Sequence, residues 1–344
     1  MANAAASPRV SVVIPTYRHR DFVMATLESV WAQTFTDYEV IVVNDGSPDD
    51  TDALLTPAAD AGRIRYIVQP NGGQANARNR GLREARGEFI ALLDDDDLWV
   101  IDKLQVQVDA LDANPNVAVV YGRAAPIDNA GYDTIPLGEN GEPLVLPWET
   151  PTGNVYESFA RQNWILSPGQ CLIRRSALDA LPDPAPFDPD PVLRGCDDWD
   201  LWLRLAQDHP FSFQDRVALR YRFHAGNASH DVLQMHRSTL GVFRKHRKRV
   251  ASGRHARLWA DAFRKGKEWS AHDLLSRSQM LYIQSGRECD PAPANTALRL
   301  LRFLARSQPS YCLRPAYLAR VARLLRNAVR FRLRPKISAL RDTS

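Results

Sequence analysis

The 344-residue sequence predicts an α/β protein with a mostly parallel sheet flanked by helices, followed by a helical, basic extension. In the first third of the chain, short apolar runs alternate with segments of helical periodicity, which is the βαβ rhythm of a parallel sheet. From about residue 231 onward the pattern is helical and rich in Arg. These two observations determine the predicted fold class.

Six short apolar runs predict the strands of the sheet. They are residues 10–14, 39–43, 64–68, 88–93, 117–121 and 171–174. Most are rich in Val, Ile and Leu, and polar or turn-forming residues bound them. The stretch 123–152 is dense in Gly, Pro and acids, which predicts a mobile, loop-rich connection.

Apolar residues at helical spacing predict helices that cover the sheet. The stripes are Val23, Leu27, Val30 and Trp31; Ile101, Leu104, Val108 and Leu111; and Trp199, Trp202, Leu203 and Ala206. Each repeats with the period that places side chains on one helix face. The third stripe begins just after Asp197 and Asp198, and acids at a helix start interact favourably with its positive end.

Composition is typical of a soluble globular protein, because 44% of the residues are hydrophobic and 24% are charged. The cysteines Cys171, Cys196, Cys289 and Cys312 lack metal-finger spacing, which predicts free thiols in a reducing compartment. No run approaches ~18 apolar residues, and residues 1–8 lack a basic-then-apolar signal. These patterns predict a cytoplasmic protein that spans no membrane.

The net charge of +4 conceals a strongly basic tail. Residues 297–344 hold 11 Arg and one Lys against the single acid Asp342, a charge of +11 that leaves −7 for the rest. One face of its helical pattern carries Leu318, Val321, Ala322, Leu325 and Ala328. The tail fits either a solvated Arg-rich helix packed on the domain or an interfacial helix on anionic lipid. No nucleic acid is expected, because no aromatic-rich basic motif accompanies the charge.

Four consecutive aspartates, residues 94–97, follow the apolar run 89–93. Like charges ~4 Å apart repel by about 1 kcal/mol in water and by more in a cleft, so protons or a cation must relieve them. Mg²⁺ or Mn²⁺ binds carboxylate oxygens and brings phosphate oxygens with it. A solvated acidic turn is the alternative. Ligands of open α/β sheets bind outside the carboxyl ends of the strands, so the position favours a metal and a phosphorylated ligand.

Two further strand ends carry polar groups to the same edge. Thr16 and Tyr17 follow the first strand, and Asp45 follows the second. The Gly-rich segment 71–81 opens a helix, where free backbone N–H groups and arginines suit a diphosphate. It matches neither GxGxxG nor GxxxxGKS/T, which argues against a dinucleotide site and a P-loop.

Four motifs together resemble the family 2 glycosyltransferases: VSVVIPTY at 10–17, VIVVNDGSPDDT at 40–51, ARNRGL at 77–82 and LLDDDD at 92–97. The resemblance covers residues 9 to about 225. It implies the GT-A fold, a nucleotide-sugar donor, a divalent metal (Mg²⁺ or Mn²⁺) and inversion at the anomeric carbon. The implied glycosyltransferase domain spans 1–230, with a nucleotide-sugar half at about 9–122 and an acceptor half at about 150–230. Residues 231–344 form the helical basic region outside it.

The resemblance implies a set of donor-binding residues, namely Thr16, Tyr17, Asp45, Arg78, Asp94 and Asp95. Thr16 and Tyr17 match residues that line the base and ribose. Asp45 matches an acid that hydrogen-bonds a pyrimidine, which favours UDP or dTDP donors, and a turn or helix cap is its alternative. Arg78 matches a basic residue near the base and diphosphate, with a plain helix-face charge as alternative, and Asp94 lies toward the ribose.

Asp96 and His224 are the implied metal ligands. Asp96 belongs to the DxD position, and His224 falls where relatives often place a histidine that closes over the metal or diphosphate. The alternative for His224 is a structural histidine at a strand end, since imidazole serves both purposes.

Asp198, in the second acidic cluster, matches the general base of the family. One carboxylate must take the proton of the acceptor hydroxyl while the metal stabilises the leaving diphosphate. The family usually has Glu-Asp where this chain has Asp197-Asp198, so Asp197 is an acceptor contact of shorter reach. Trp164 and Gln170 are further acceptor candidates, with a core Trp as alternative. For Asp198 the alternative is a helix cap.

The combined prediction is a metal-dependent inverting glycosyltransferase that adds one sugar to a hydroxyl of a cell-surface polysaccharide or lipid-linked glycan. Single addition is favoured, because no Gln-x-x-Arg-Trp motif follows the second acid pair. The expected location is the cytoplasm, with peripheral contact on the inner face of the cell membrane. One alternative is a catalytically idle glycan-binding or assembly module of the same fold. Another is a sugar-nucleotide pyrophosphorylase, whose Gly- and Arg-rich loop after strand one is absent from this sequence.

Overall fold

The structure is a computed structural model that describes residues 7–134, 150–182, 185–224, 226–250, 255–288, 291–315, 317–319 and 321–322. The chain divides into two compact units, Met1–Asp231 and Val232–Ser344. The described part of the first unit contains a sheet with its helices, whereas that of the second is helical.

Strands and helices alternate along the first unit, as the sequence predicts. In chain order they are β1 (Val10–Thr16), α1 (Val23–Trp31), β2 (Tyr38–Asn44), α2 (Thr51–Asp60), β3 (Arg65–Val68), α3 (Gln74–Glu84), β4 (Phe89–Leu92), β5 (Leu98–Trp99), α4 (Lys103–Ala113), β6 (Val119–Ile127), α5 (Tyr156–Phe159), β7 (Cys171–Arg174), α6 (Arg175–Asp179), α7 (Asp197–Leu205) and β8 (Phe211–Arg222). Short 3₁₀ helices cover Pro168–Gln170, Pro191–Leu193 and Ala228–His230.

The strands form one mixed sheet in the order β3-β2-β1-β4-β7-β6-β8-β5. β1 pairs in parallel with β2 and β4, and β2 pairs in parallel with β3. Beyond β4, the strand β7 is antiparallel to both of its neighbours, β6 is parallel to β8, and β5 is antiparallel to β8. All seven residues of β1 are buried, as expected for a parallel strand covered on both faces. The predicted α/β class with a mostly parallel sheet is confirmed.

The predicted helix stripes form much of the hydrophobic core. Its buried members include Val23, Leu27 and Val30 of α1 and Leu104, Val108 and Leu111 of α4, which pack with Val12, Ile14 and Leu93. Fully burying one such side chain stabilises the fold by roughly 1.5–3 kcal/mol. Ile101 is a correction to the second stripe, because it precedes α4 and is 62% exposed.

Two segments differ from the prediction. β6 continues to Ile127, so the beginning of the predicted loop 123–152 is a strand, and residues 135–149 lie outside the described residues. The strand β8 was missed because its sequence, FSFQDRVALRYR, places exposed charged residues in its middle and lacks an apolar run. Pairing with β6 over Val119 to Ile127 supplies the backbone hydrogen bonds that make it a strand.

The second unit contains α8 (Val232–Arg249), α9 (Ala256–Glu288), α10 (Pro291–Ser307) and α11 (Pro309–Cys312). Its core includes Ala271, Leu274, Leu275, Leu300, Leu304 and Tyr317. Of the predicted terminal apolar face, Val321 packs against this core, Leu318 is 51% exposed, and 325 and 328 lie outside the described residues. In the part of the chain that is described, no helix combines the length and apolar character needed to cross a bilayer.

The cysteines that the structure describes form no disulfide. Cys171 and Cys196 are buried in the first unit, and Cys312 lies at the end of α11. Cys289 lies outside the described residues.

Candidate active site

Three predicted strand ends meet at one edge of the sheet. Thr16 is the last residue of β1, Asp45 directly follows β2, and the aspartate run follows β4. Both β2 and β4 are parallel neighbours of β1, so their carboxyl ends point the same way. Thr16 and Asp45 are buried there, whereas Tyr17 is 37% exposed. The sheet therefore brings the predicted donor residues of three separate segments together.

Asp45 caps the helix that follows β3. Its carboxylate accepts hydrogen bonds from Gly72 N–H (2.9 Å), Gly73 N–H (2.8 Å) and Gln69 Nε2 (2.7 Å). These two glycine amides are thus bound to Asp45, and the first turn of α3 begins one residue later, at Gln74. Gly73 has a φ of +87°, a conformation that L side chains rarely adopt, and this turn presents both amides to Asp45. The helix-cap alternative describes the contacts of Asp45.

Arg78 joins the two acidic clusters through one buried guanidinium. Its Nη2 lies 2.6 Å from Asp94 Oδ1, and its Nη1 lies 2.9 Å from Asp197 Oδ2. Burial alone would lower the pKa of Arg78, but the charges of both acids outweigh it and raise the pKa. Arg78 is thus not a plain helix-face charge, and its two contacts are to protein carboxylates.

Close packing of α3 on β1 brings Arg78 to this position. At Gly81, one turn beyond Arg78, an added Cβ would lie 2.3 Å from Val13 Cγ1. The helix can approach the strand only because this residue has no side chain.

Asp95 is committed to the loop after β1. One carboxylate oxygen accepts from Tyr17 N–H at 3.2 Å, and the other lies 2.7 Å from His19 Nδ1. Burial of His19 lowers its pKa, but the hydrogen bond and charge of Asp95 outweigh this and raise it to about 9. Asp95 is 6% exposed, so its contacts favour a role in holding this loop over the predicted donor contact.

Asp96 and His224, the predicted metal ligands, lie next to each other, and His19 lies beside them. His224 Nε2 lies 2.8 Å from Asp96 Oδ2. One ligand atom from each of the three residues lies within 4.8 Å of the other two. Two ligands about 2.1 Å from one ion, at right angles, would lie about 3 Å apart, so the spacing fits a divalent cation. Sequence reasoning missed His19, although its position three residues after β1 places it at this edge of the sheet.

Asp97 is buried and holds neighbouring segments in place. Its carboxylate accepts from Arg222 N–H at 2.9 Å and from Ser167 Oγ at 3.2 Å. Burial and the charges of Asp96 and Asp94 raise its pKa well above the usual value. The aspartate run therefore contains two residues with supporting roles, Asp95 and Asp97, beside the predicted metal ligand Asp96.

Arg222 also supports the run, and sequence reasoning missed it. Its Nε donates to the carbonyl of Asp96 at 2.7 Å. Its Nη1 donates to the carbonyls of Asp128 and Asn129, at 3.0 and 2.7 Å. A residue at the end of the missed strand β8 thus fixes the backbone that carries the predicted metal ligand.

Asp198 lies in the first turn of α7, beside the Asp197 that binds Arg78. Its carboxylate is 7% exposed and accepts from Trp199 N–H at 2.7 Å. Burial, followed by the charge of Asp197, raises the pKa of Asp198 to about 8. A carboxylate with such a pKa accepts a proton far more readily than an ordinary aspartate.

The two further acceptor candidates have structural contacts. Gln170 Oε1 accepts from Leu166 N–H at 2.7 Å, and its Nε2 donates to Gly122 O at 2.7 Å. Trp164 is half-buried, and its Nε1 donates to Ser158 O at 3.2 Å. The amide of Gln170 therefore holds its own loop, which favours a structural role over an acceptor contact.

Side chains from β5 and α4 hold the same loop from its other side. Trp99 Nε1, Gln107 Nε2 and Lys103 Nζ donate to the carbonyls of residues 169, 170 and 171, at 2.9, 2.8 and 2.8 Å. Burial lowers the pKa of Lys103 to about 7. Three consecutive carbonyls are thus bound by one segment, and the loop presents Ser167 to Asp97. Sequence reasoning missed this contact set, because polar residues on an amphipathic helix usually face solvent.

The family model described as glycosyl transferase family 2 matches residues 11–181. The matched part of the chain, residues 11–181, belongs to this family. The match includes the first acidic cluster and ends before the second, which holds Asp198.

Family 2 relatives align with the first two thirds of the chain. An uncharacterized glycosyltransferase of Rickettsia felis is 40% identical over 227 residues, 65% of this chain and 36% of its own length. The UDP-Glc:alpha-D-GlcNAc-diphosphoundecaprenol beta-1,3-glucosyltransferase WfgD of Escherichia coli is 36% identical over 121 residues, 35% of this chain and 47% of its own. The chain spans little more than a third of the first relatives that it matches.

Two solved structures share the fold of this chain. S. aureus TarS 1-349 in complex with UDP has a TM-score of 0.57 and 18% identity, over 93% of this chain and 89% of that chain. The mannosyltransferase PcManGT from Pyrobaculum calidifontis, in complex with GDP-Man and Mn²⁺, has a TM-score of 0.55 and 20% identity, over 95% and 88%. The predicted GT-A fold is confirmed.

Proposed function

We propose that this family 2 protein is a metal-dependent, inverting glycosyltransferase that moves one sugar from a nucleotide-diphosphate sugar to a hydroxyl. The observation that carries the proposal is the arrangement around Arg78. One guanidinium binds Asp94 of the aspartate run and Asp197, the neighbour of the base candidate Asp198. Metal-side and base-side acids are therefore held in one site, as a displacement between donor and acceptor requires.

The proposed donor is a UDP or dTDP sugar, bound between Thr16, Tyr17 and Asp94. Pyrimidine preference comes from the family match of Asp45, and WfgD and the TarS complex carry UDP in their names. The mannosyltransferase PcManGT binds GDP-Man with the same fold, so fold alone does not decide the base. Arg78 lies 2.6 Å from Asp94, and we propose that it acts on the donor through this carboxylate.

The proposed metal ligands are Asp96 and His224, 2.8 Å apart. A bound Mg²⁺ or Mn²⁺ would neutralise the charge that develops on the leaving diphosphate. The Mn²⁺ in the PcManGT complex supports a divalent metal in this fold. Arg222 contributes by binding the carbonyl of Asp96, which limits the movement of that segment.

Asp198 is the proposed base. It accepts the proton of the acceptor hydroxyl as that oxygen forms a bond to the anomeric carbon. The bond from that carbon to the diphosphate oxygen breaks on the opposite face, so the configuration inverts. The pKa of about 8 suits this proton transfer at neutral to alkaline pH.

The acceptor is proposed to be a growing glycan or lipid-linked precursor on the cytoplasmic face of the cell membrane. The 11 Arg of residues 297–344 support contact with anionic lipid, and the name of WfgD includes a lipid-linked acceptor. In this proposal the first unit carries out sugar transfer, and the second unit contacts the membrane surface.

A panel of nucleotide sugars with Mn²⁺ or Mg²⁺ tests the proposal, scored by donor binding and slow hydrolysis. Asp96→Ala is expected to abolish metal-dependent donor binding, whereas Asp198→Asn keeps donor binding and stops transfer. Asp109→Ala, on the exposed side of α4, is the matched control and should resemble the parent. Failure of every UDP, dTDP and GDP sugar to bind or hydrolyse with either metal would overturn the assignment.

A further inference from the structure

We infer that His19 is a third ligand of the metal site and that Asp95 orients it. The resulting set is two imidazoles and one carboxylate, from His19, His224 and Asp96, which selects Mn²⁺ and Co²⁺ over Mg²⁺. This inference rests on the metal dependence in the proposed function. It adds a ligand, a positioning residue and a metal preference to the Asp96–His224 pair.

The three side chains already lie at ligand spacing. One ligand atom of each is within 4.8 Å of the others, and the rings of His19 and His224 meet edge to face with centroids 5.5 Å apart. Ligands on opposite sides of an ion are separated by about twice the metal–ligand distance of ~2.1 Å, so this cluster can close around one ion without large movement.

In metal-binding histidines, the ring nitrogen that does not bind the metal normally donates a hydrogen bond, often to a carboxylate. Asp95 is such a carboxylate for His19. It lies 2.7 Å from His19 Nδ1, which leaves Nε2 as the nitrogen that faces a cation. The contacts of His224 differ: its Nδ1 accepts from Gly226 N–H at 3.2 Å, so in the neutral ring the proton is on Nε2, which faces Asp96 and must lose that proton before it can bind a metal. The Asp95 contact therefore orients His19 for metal binding through Nε2.

Backbone strain supports the placement of His19. The preceding residue, Arg18, has a φ of +62° and is the one non-glycine residue with positive φ among those described. Such a conformation is unfavourable for a residue with a side chain and persists where the surroundings impose it. The surrounding contacts are known: Arg18 N–H donates to Ser47 Oγ at 3.1 Å, and Tyr17 N–H donates to Asp95 at 3.2 Å. The turn directs His19 back onto the aspartate run.

The ligand types determine the metal preference. Mg²⁺ prefers oxygen ligands and keeps several waters, whereas imidazole suits transition metals. Two histidines and one carboxylate therefore favour Mn²⁺ or Co²⁺. A site with Asp96 as its single strong ligand would discriminate less between these metals and Mg²⁺.

Metal binding to the full, metal-free chain tests this inference without any measurement of transfer. Free Mn²⁺ is followed by electron paramagnetic resonance, and Co²⁺ by its visible absorption. The parent should bind Mn²⁺ at least about tenfold more tightly than Mg²⁺. His19→Ala and Asp95→Asn should each weaken Mn²⁺ binding about 10- to 100-fold, the usual effect of losing a ligand or its orienting partner. The Mn²⁺ to Mg²⁺ ratio should fall in His19→Ala.

His272→Ala, which removes an exposed histidine of α9, is the matched control and should bind as the parent does. His19→Gln is made as well, with circular dichroism on every variant, so that a folding defect is recognised. Parent-like Mn²⁺ affinity in a folded His19 variant, with binding lost in Asp96→Ala, would overturn the inference and leave the proposed function standing. If Asp96→Ala and His224→Ala also bind Mn²⁺ like the parent, the proposed metal site itself is wrong.

Discussion

Arg78 donates to Asp197 over 2.9 Å, although 119 residues separate them in sequence. The same guanidinium reaches Asp94 at 2.6 Å, so one side chain couples the aspartate run to the acid pair at the start of α7. The contact with Asp197 is buried and that with Asp94 is partly buried. An Arg fork can satisfy two carboxylates at once in a way that the point charge of Lys cannot. The position of the proposed base relative to the donor acids therefore depends on this ion pair.

Replacing Arg78 by Lys is expected to lower the free energy of unfolding by about 1.5–3 kcal/mol, the value of a hydrogen bond to a charged group. Transfer should fall more than donor binding, because Asp197 loses the partner that holds it. Urea unfolding and the separate effects on kcat and KM measure these changes. Arg80→Lys, in the half-exposed i,i+4 pair with Glu84, is the control on the same helix. Equal behaviour of the two variants would refute the coupling role.

The pH dependence of transfer should report Asp198. With a pKa raised to about 8, its carboxylate is mostly protonated at pH 7, and only the ionised fraction serves as a base. We expect kcat to rise about tenfold per pH unit below pH 8 and to level off above it. Asp198→Asn should lower kcat by at least about 10²-fold and remove this dependence. The exposed Asp208→Asn is the control. A parent profile that is flat from pH 6 to 9 would exclude Asp198 as the base.

Lys103 should make stability depend on pH in the alkaline range. Its pKa is lowered from 10.5 to about 7, so between these values the unfolded chain binds more protons than the folded one. Stability should therefore rise by up to about 1.4 kcal/mol per pH unit from pH 7 towards 10. Lys103→Met removes this contribution, and urea unfolding at pH 7 and 9 measures it. Gln105→Met, on the exposed side of the same helix, should keep the parent slope.

We expect a side chain at position 81 to fit only if the facing side chain on β1, Val13, is made smaller. A Cβ there would lie 2.3 Å from Val13 Cγ1, so Gly81→Ala overpacks the contact between α3 and β1. We expect a loss of about 1–3 kcal/mol in the free energy of unfolding, with weaker transfer because Arg78 shifts with the helix. The double variant Val13→Ala and Gly81→Ala should recover part of the transfer rate. If the losses of transfer rate in the two single variants simply add in the double variant, the close approach of α3 to β1 is not what positions Arg78.

Local pattern in the sequence predicted most elements of the nucleotide-side half, although not the short strand β5. Strand β1 and its neighbours were predicted because burial on both faces requires a continuous apolar run. The residues of each run are adjacent in sequence, so the run is visible without knowledge of the fold. The family resemblance implied Asp96 and His224 as metal ligands, and these two residues lie 2.8 Å apart. Strand β8 was missed because its charged middle residues leave no apolar period, and its pairing with β6 supplies the stabilisation instead.

The sequence alone determined the α/β class, the family resemblance and the residue types at each strand end, because these depend on nearest neighbours and on period. Only the tertiary structure decided the partners of those residues. It committed the Asp45 carboxylate to the glycine amides, set His19 against Asp95, and placed Arg78 between two acids. Each of these contacts joins segments at least 16 residues apart, and sheet order and helix packing select such pairs among many that the same pattern would allow.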